Sequence, residues 1–204
     1  MSTPTSYQRV GDTAVNPADY DWQTHPLYLR CDGTDDFMQT NSIDFTATDK
    51  MTVWAGVRKL SDAAAGVVSE LSDSVSTNNG SFLTAYPRNN TVNVPNFAVK
   101  GTVESNLATT GNTLPSPISS ILTFIAEIST DTNILRVNGV QLKSGTGDQG
   151  TGNFGNYPLY LFRRGGTTLP FNGRCYGIVV RGAQSSAAQI SGGETYMNTR
   201  TKAF

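Results

Sequence analysis

The chain has 204 residues, a formal net charge of −1 and only 15% charged residues. Its length suits one all-β domain with a full core, and its near-neutral charge excludes the basic excess with which nucleic-acid-binding proteins neutralise phosphates. Its basic residues are scattered, the densest group being Arg163-Arg164. No apolar run is long enough to span a membrane and the N-terminus lacks the apolar centre of a secretory signal, so we expect a protein made in a cytoplasm, with no membrane insertion.

Residues 1–26 are polar, contain three prolines and show no sustained periodicity, which predicts an extended N-terminal arm. The arm carries Tyr7, Tyr20 and Trp22, more aromatic residues than a pure linker uses. Two interpretations of the arm stay open. The arm packs against its own domain or a neighbour, or it is a disordered tail.

The domain is expected to begin with the stretch YLRCDGTDDFMQT, residues 28–40. Alternation predicts a strand over 28–31, followed by a turn over 32–36 in which Gly33 adopts a positive φ and aspartates bond local amides. Phe37 and Met38 are predicted to return to the core. Asp32, Asp35 and Asp36 are also weak candidates for Ca²⁺ ligands, with Asp148 weaker still, but turn capping is the favoured interpretation.

Alternating β-branched and aromatic residues predict strands through the middle of the chain. The segments are 51–60, 66–71, 81–86, 91–94, 96–99 and 103–107. In the first of these, Val53, Ala55 and Val57 share one face, while Trp54 lies on the other and should also be partly covered.

Residues 118–128 form the most apolar segment, and periodicity alone fits a buried helix or a strand. Their β-branched and aromatic content favours a central strand. Asn138-Gly139 between two alternating runs predicts a hairpin over 133–143. The glycine-rich stretch 144–155 lacks a phosphate-loop pattern and is predicted to cross between strands.

The last strands are predicted over 159–163 and 171–181. Residues 183–186 provide a helix cap, and two short helices are predicted over 187–190 and 194–201. Gly192 and Gly193 should separate them, because glycine disfavours helix interiors.

No catalytic or metal constellation is visible in the sequence, so we expect no enzyme and no cofactor. A glycosidase needs two carboxylates flanking one bond, but no Glu-x-Asp or Glu-x-Glu occurs within a predicted strand. The single histidine, His25, excludes a histidine-based zinc site. Cys31 and Cys175 form neither a disulfide framework nor a metal cluster, and two buried reduced thiols are favoured over a disulfide.

Sugar recognition requires an aromatic platform with polar groups around it. The candidate glycan-binding residues are Tyr86, Tyr157 and Tyr160, with Asn153 and Asn156 as hydrogen-bond partners. The competing interpretation is that these tyrosines line the core or subunit contacts.

Three segments resemble laminin-G-like, concanavalin-A-like jelly-roll domains, in particular those of bacteriophage structural proteins. They are DGTDDF at 32–37, TVWA at 52–55 and FNGRCYGIVVRGA at 171–183. The resemblance covers residues 27–204 and implies an antiparallel two-sheet sandwich with a short C-terminal helix. It further implies that the first and last strands are adjacent, which would make Cys31 and Cys175 near neighbours. Its relatives include calcium-dependent sugar binders.

The resemblance, together with the lack of a catalytic constellation, gives two functional hypotheses. The leading one is a virion structural protein, an exposed head decoration or tail appendage that associates with other virion proteins and copies of itself. The alternative is a lectin-like carbohydrate-binding module that adheres to cell-surface glycans. The two are compatible, because a decoration protein can also be an adhesin.

Overall fold

The computed structural model describes residues 27–204; the predicted arm, 1–26, and His25 lie outside them. The strands are β1 Leu29–Asp32, β2 Met38–Asp44, β3 Lys50–Lys59, β4 Val67–Leu71, β5 Ser81–Ala85, β6 Asn96–Lys100, β7 Glu104–Leu107, β8 Ile118–Glu127, β9 Thr132–Val137, β10 Val140–Gly145, β11 Asn156–Leu161 and β12 Asn172–Arg181. One α-helix follows, α1 Ala187–Thr201, and a 3₁₀ turn, Ile128–Thr130, links β8 to β9.

The strands form two six-stranded sheets. The first has the order β1-β12-β3-β8-β9-β10 and the second β2-β11-β4-β5-β6-β7. Neighbouring strands in both sheets are antiparallel. The predicted all-β, two-sheet sandwich with a C-terminal helix is therefore confirmed, as is the pairing of the first strand with the last.

The core lies between the two sheets and follows from the alternation of β3. Val53, Ala55 and Val57 are fully buried in the main hydrophobic cluster, whereas Trp54 lies in a separate small cluster with Met197 of α1. The prediction that both faces are covered at Trp54 is confirmed. The helix thus closes the middle of the first sheet's outer face.

The central strand and the hairpin after it were predicted correctly. β8 pairs with β3 on one side and β9 on the other, and β9 continues into β10. Between them, Asn138 and Gly139 have φ values of 51° and 78°. Both residues tolerate this left-handed region, which a two-residue hairpin requires.

The prediction of two short C-terminal helices was wrong, because α1 is continuous through Gly192 and Gly193. A β-carbon on Gly193 would lie 2.5 Å from Nε1 of Trp54, so glycine lets the helix approach the sheet. The predicted cap is confirmed at Ser186, which forms a reciprocal capping box with Gln189. Within residues 27–204, no helix has the length and apolar character needed to cross a membrane.

Two local predictions were also wrong. Residues 91–94 form no strand, because the Asn89 side chain accepts bonds from the backbone of Thr91 and Val92 and holds a turn. Phe37 and Met38 do not return to the core but remain 46% and 49% exposed. Met38 begins β2, an edge strand of the second sheet, and Phe37 directly precedes it.

The two cysteines are buried, free thiols on neighbouring strands. In the register of β1 and β12, Cys175 faces Leu29, while Cys31 faces Gly173, so the cysteines are diagonal rather than direct neighbours. Burial raises the pKa of Cys31 to about 12 and that of Cys175 to about 11. The predicted burial of both cysteines is confirmed, and their reduced state stays a prediction.

Candidate functional site

Tyr86 is not available as a sugar platform, which corrects the prediction made for it. Its ring is fully buried, and its hydroxyl lies 2.9 Å from the hydroxyl of Ser120. The ammonium group of Lys59 lies 4.3 Å from the ring centroid. Burial and these polar contacts make Tyr86 a core residue.

The other four predicted glycan-binding residues do not form one surface. Tyr157 packs against the main core, whereas Tyr160 is paired in register with Glu70, whose carboxylate faces a loop outside the second sheet. Asn153 donates from Nδ2 to the carbonyl of Thr46. Asn156 is exposed at the start of β11.

The aspartates of the acidic turn accept hydrogen bonds from nearby backbone N–H groups. Oδ1 of Asp32 accepts a hydrogen bond from the N–H of Thr34 at 2.7 Å, and Oδ2 of Asp36 accepts one from the N–H of Asp32 at 2.9 Å. Oδ1 of Asp148 similarly accepts from the N–H of Gly150. Among residues 27–204, no group of three or more His, Cys, Asp or Glu side chains is placed to hold a metal ion.

The centre of the second sheet's outer face is closed by its own loops. Val75 packs there in a buried cluster with Leu83, Ala85 and Ala98 of the sheet, and Leu169 packs against the cluster. The centre of this face is therefore closed to a ligand.

Three arginines lie side by side on the outer face of the first sheet: Arg30 on β1, Arg174 on β12 and Arg58 on β3. Arg30 is directly opposite Arg174, and Arg174 is directly opposite Arg58. Each is followed in the chain by a buried residue, such as Cys31 or Cys175, so strand alternation turns the arginines outward. We call these three residues the arginine row.

Some cations in the described part of the chain have carboxylate partners, and others, including the arginine row, do not. Arg136 forms an ion pair with Glu194, and Arg164 forms one with Glu70. Within residues 27–204, no member of the arginine row has a carboxylate at ion-pair distance. Like charges directly opposite each other on neighbouring strands destabilise a sheet. The row therefore concentrates positive charge at a cost in folding stability.

Two tyrosines border the arginine row. The rings of Tyr28 and Tyr176 meet edge to face, with 5.7 Å between their centroids. The guanidinium carbon of Arg174 lies 4.5 Å from the centroid of Tyr28, which is cation–π geometry. The Nε atom of Arg174 is buried and has no hydrogen-bond partner among residues 27–204. Tyr28 thus holds the central arginine in place.

A cleft of about 310 Å³ opens beside the tyrosine pair, and we call it the side cleft. It lies where β1 and β2 form the open edges of the two sheets. Tyr28 and Tyr176 form part of its wall, and the rest is mainly apolar, including Leu29, Met38, Leu161 and Ile178. An apolar cleft with a few convergent polar groups is the usual form of a small-ligand site.

The sequence contained part of the signal for this site. Arg30-Cys31 and Arg174-Cys175 repeat the same order of an outward cation and a buried thiol, and the family resemblance already placed their strands together. The position of Arg58 depends on the register between β12 and β3, which the sequence does not reveal. The three arginines lie far apart in the sequence, so the sequence alone does not show that they form a row.

No protein-family model and no curated protein sequence matches the chain. Solved structures share its jelly-roll sandwich. The carbohydrate-binding module CBM40 of Ruminococcus gnavus IT-sialidase matches with a TM-score of 0.56 and 16% identity, over 75% of this chain and 96% of that one. A SAP-like pentraxin from Limulus polyphemus has a TM-score of 0.59 and 9% identity, over 79% and 78% of the two chains.

The NanB sialidase of Streptococcus pneumoniae also matches, with a TM-score of 0.58 and 15% identity. The match covers 81% of this chain but only 27% of the sialidase. The CBM40 module has also been solved with α2,3- and α2,6-sialyllactose bound. At these low identities, the structural matches show the jelly-roll fold alone. The laminin-G type and the phage origin stay predictions.

Proposed function

We propose that the protein is a non-catalytic carbohydrate-binding module. The observation that carries this proposal is the open surface where the Tyr28–Tyr176 pair, the arginine row and the side cleft adjoin. The fold shared with a module solved in complex with sialyllactose supports the same function. The proposal favours the lectin-like hypothesis over a purely structural role.

The chemistry of this surface suits a sugar. Aromatic rings pack against the apolar faces of sugar rings, and guanidinium groups donate several hydrogen bonds in a fixed plane. Tyr28 and Tyr176 are only half buried, and Arg30 is exposed, so each can meet a ligand from solvent. The mainly apolar side cleft offers a recess for one sugar ring beside Tyr28, the residue that also contacts Arg174.

The placement of three of the four glutamates supports a binding role rather than hydrolysis. Glu70 pairs with Arg164, Glu194 with Arg136, and Glu127 with Lys50. A glycosidase needs one carboxyl group free to protonate the leaving oxygen and a second free to attack or to activate water. Carboxylates held in separate ion pairs are poorly suited to these tasks.

Glycan-array binding of the full chain tests the proposal, with Tyr28→Ala and Tyr176→Ala as site variants. Tyr196→Ala is the matched control, because Tyr196 is another exposed tyrosine with an arginine, Arg200, 5.2 Å from its ring centroid. We expect both site variants to lose binding and the control to retain it. Equal binding by all variants, or no binding to any glycan by the parent, would overturn the proposal.

A location on a virion is compatible with glycan binding and stays a prediction. Electron microscopy of purified particles with an antibody against the protein would test it. Labelling of the head or the tail would support the location, and absence of labelling on both would end the idea.

A further inference from the structure

We propose that the arginine row selects glycans carrying two or more carboxylate or sulfate groups over neutral or singly charged ones. This inference rests on the proposed glycan-binding function and adds the ligand class to it. It comes from the register of three strands, which places Arg30, Arg174 and Arg58 directly opposite one another on neighbouring strands.

The spacing of the row exceeds the reach of one acid group. Neighbouring strands are about 4.8 Å apart, so the backbone positions of Arg30 and Arg58 are separated by about 9.5 Å across β12. One carboxylate or sulfate forms a bidentate pair with one guanidinium and shares at most its neighbour. Binding to all three arginines therefore requires at least two acid groups on one ligand.

The charge of the row also favours a ligand with at least two acid groups. The three arginines repel one another, and the described part of the chain supplies no carboxylate at ion-pair distance. A neutral sugar leaves that repulsion unchanged, and a single acid neutralises only a third of the charge. A ligand with several acid groups removes most of it, so binding strength rises with the number of acid groups.

The side chain of the central arginine, Arg174, is already restrained before a ligand binds. Stacking on Tyr28 restricts Arg174, so less side-chain entropy is lost on binding than for a free arginine. Arg30 and Arg58 flank it on the neighbouring strands. Tyr28 and Tyr176 border the row and can pack against the sugar that carries the acid groups.

A nucleic acid also carries repeated negative charges, but the chain suits it less well. Nucleic-acid binders typically neutralise about six to ten phosphates, and this chain combines a three-arginine row with a net charge of −1. The choice of an acidic glycan follows from this small number of cations and from the neighbouring side cleft.

Calorimetric titration of the full chain tests the inference with five probes. They are a sulfated heparin oligosaccharide, an oligogalacturonate, a neutral oligosaccharide of equal length, sialyllactose as the singly charged probe, and a single-stranded oligonucleotide. We expect the sulfated and the multiply carboxylated probes to bind most tightly, with affinity that falls as salt rises. Arg30→Gln and Arg58→Gln should each weaken these two probes by roughly tenfold to a hundredfold.

Arg200→Gln is the control, since Arg200 also stacks on an exposed tyrosine but lies on α1, and it should retain full affinity. Thermal unfolding provides a second readout. Arg30→Gln and Arg58→Gln should raise the melting temperature, because each removes like-charge repulsion from the sheet. Lower melting temperatures for both would contradict the repulsion on which the inference depends.

The outcomes separate the inference from the proposed function. If neutral glycans bind as tightly as multiply acidic ones and Tyr28→Ala still abolishes binding, the inference is wrong and the function stands. If no glycan binds, both are wrong. Tightest binding of sialyllactose, or equally tight binding of the oligonucleotide at the same salt concentration, would also overturn the inference.

Discussion

Glu70 and Arg164 form an ion pair outside the second sheet, with 3.1 Å between Oε2 and Nε. The other carboxylate oxygen accepts a hydrogen bond from the backbone N–H of Val75 at 2.7 Å. Glu70 is fully buried, and this burial raises its pKa from an ordinary value of 4.5 to about 7, although both contacts lower it. Burial therefore outweighs the ion pair at this carboxyl group.

Glu70→Gln should remove a pH dependence of stability from the parent. Because the pKa is higher in the folded state, the folded state binds more protons between about pH 4.5 and 7. The stabilising contribution is complete below pH 4.5 and is lost as the pH rises through 7, a change of about 3 kcal/mol. Urea unfolding between pH 4 and about 8 measures it.

The difference between parent and variant isolates this carboxyl group from the others that titrate. Glu104→Gln is the control, since Glu104 is exposed on β7 and should leave the pH profile unchanged. A Glu70→Gln profile as steep as that of the parent would show that Glu70 keeps an ordinary pKa.

The fold was predictable where local and tertiary preferences agree. Asn138-Gly139 adopts the positive φ values of a tight hairpin, and the apolar run of β8 lies in the middle of a sheet. The predicted break at Gly193 failed because intrinsic propensity was overruled by packing, since a residue without a β-carbon is needed beside Trp54.

The candidate site was less predictable than the fold. Whether a tyrosine such as Tyr86 is buried depends on the sheet that covers it, which the neighbouring residues in the sequence do not reveal. The arginine row arises only when the first, third and last strands of the domain pair in one register. Alternation within a strand can be seen in the sequence. The register in which two strands distant in the chain pair cannot be seen there.

Lys59→Met should destabilise the protein by about 3–5 kcal/mol, because it removes one partner from a buried polar cluster. The fully buried Lys59 ammonium lies 2.5 Å from Oδ1 of Asp62 and donates to the carbonyls of Asn93 and Leu114 at 2.6 and 2.7 Å. Methionine fills the space but leaves these acceptors unpaired.

Urea unfolding at neutral pH measures the effect of Lys59→Met. Lys202→Met is the control, since Lys202 is exposed at the end of α1 and should change stability little. Equal stability of the two variants would mean that the buried cluster contributes nothing.

Cys31 and Cys175 should stay reduced and react slowly in the folded protein. Their diagonal placement sets their β-carbons farther apart than a disulfide allows, and their raised pKa values leave little thiolate at pH 8. Titration with a thiol-reactive aromatic disulfide should find two thiols in denaturant and slow reaction without it. Rapid native labelling, or fewer than two thiols in denaturant without reductant, would contradict this.

Gly192 and Gly193 should respond in opposite directions to the same substitution. Gly192→Ala adds a β-carbon with no atom within 4 Å, so better helix propensity should stabilise the protein by about 0.5–1 kcal/mol. Gly193→Ala gains the same propensity, but its β-carbon would lie 2.5 Å from Nε1 of Trp54, and such overpacking costs about 1–3 kcal/mol. Thermal unfolding should therefore show a higher melting temperature for Gly192→Ala and a lower one for Gly193→Ala. A rise for both would mean that α1 can move away from the sheet without loss, and that the Trp54 contact does not hold the helix in place.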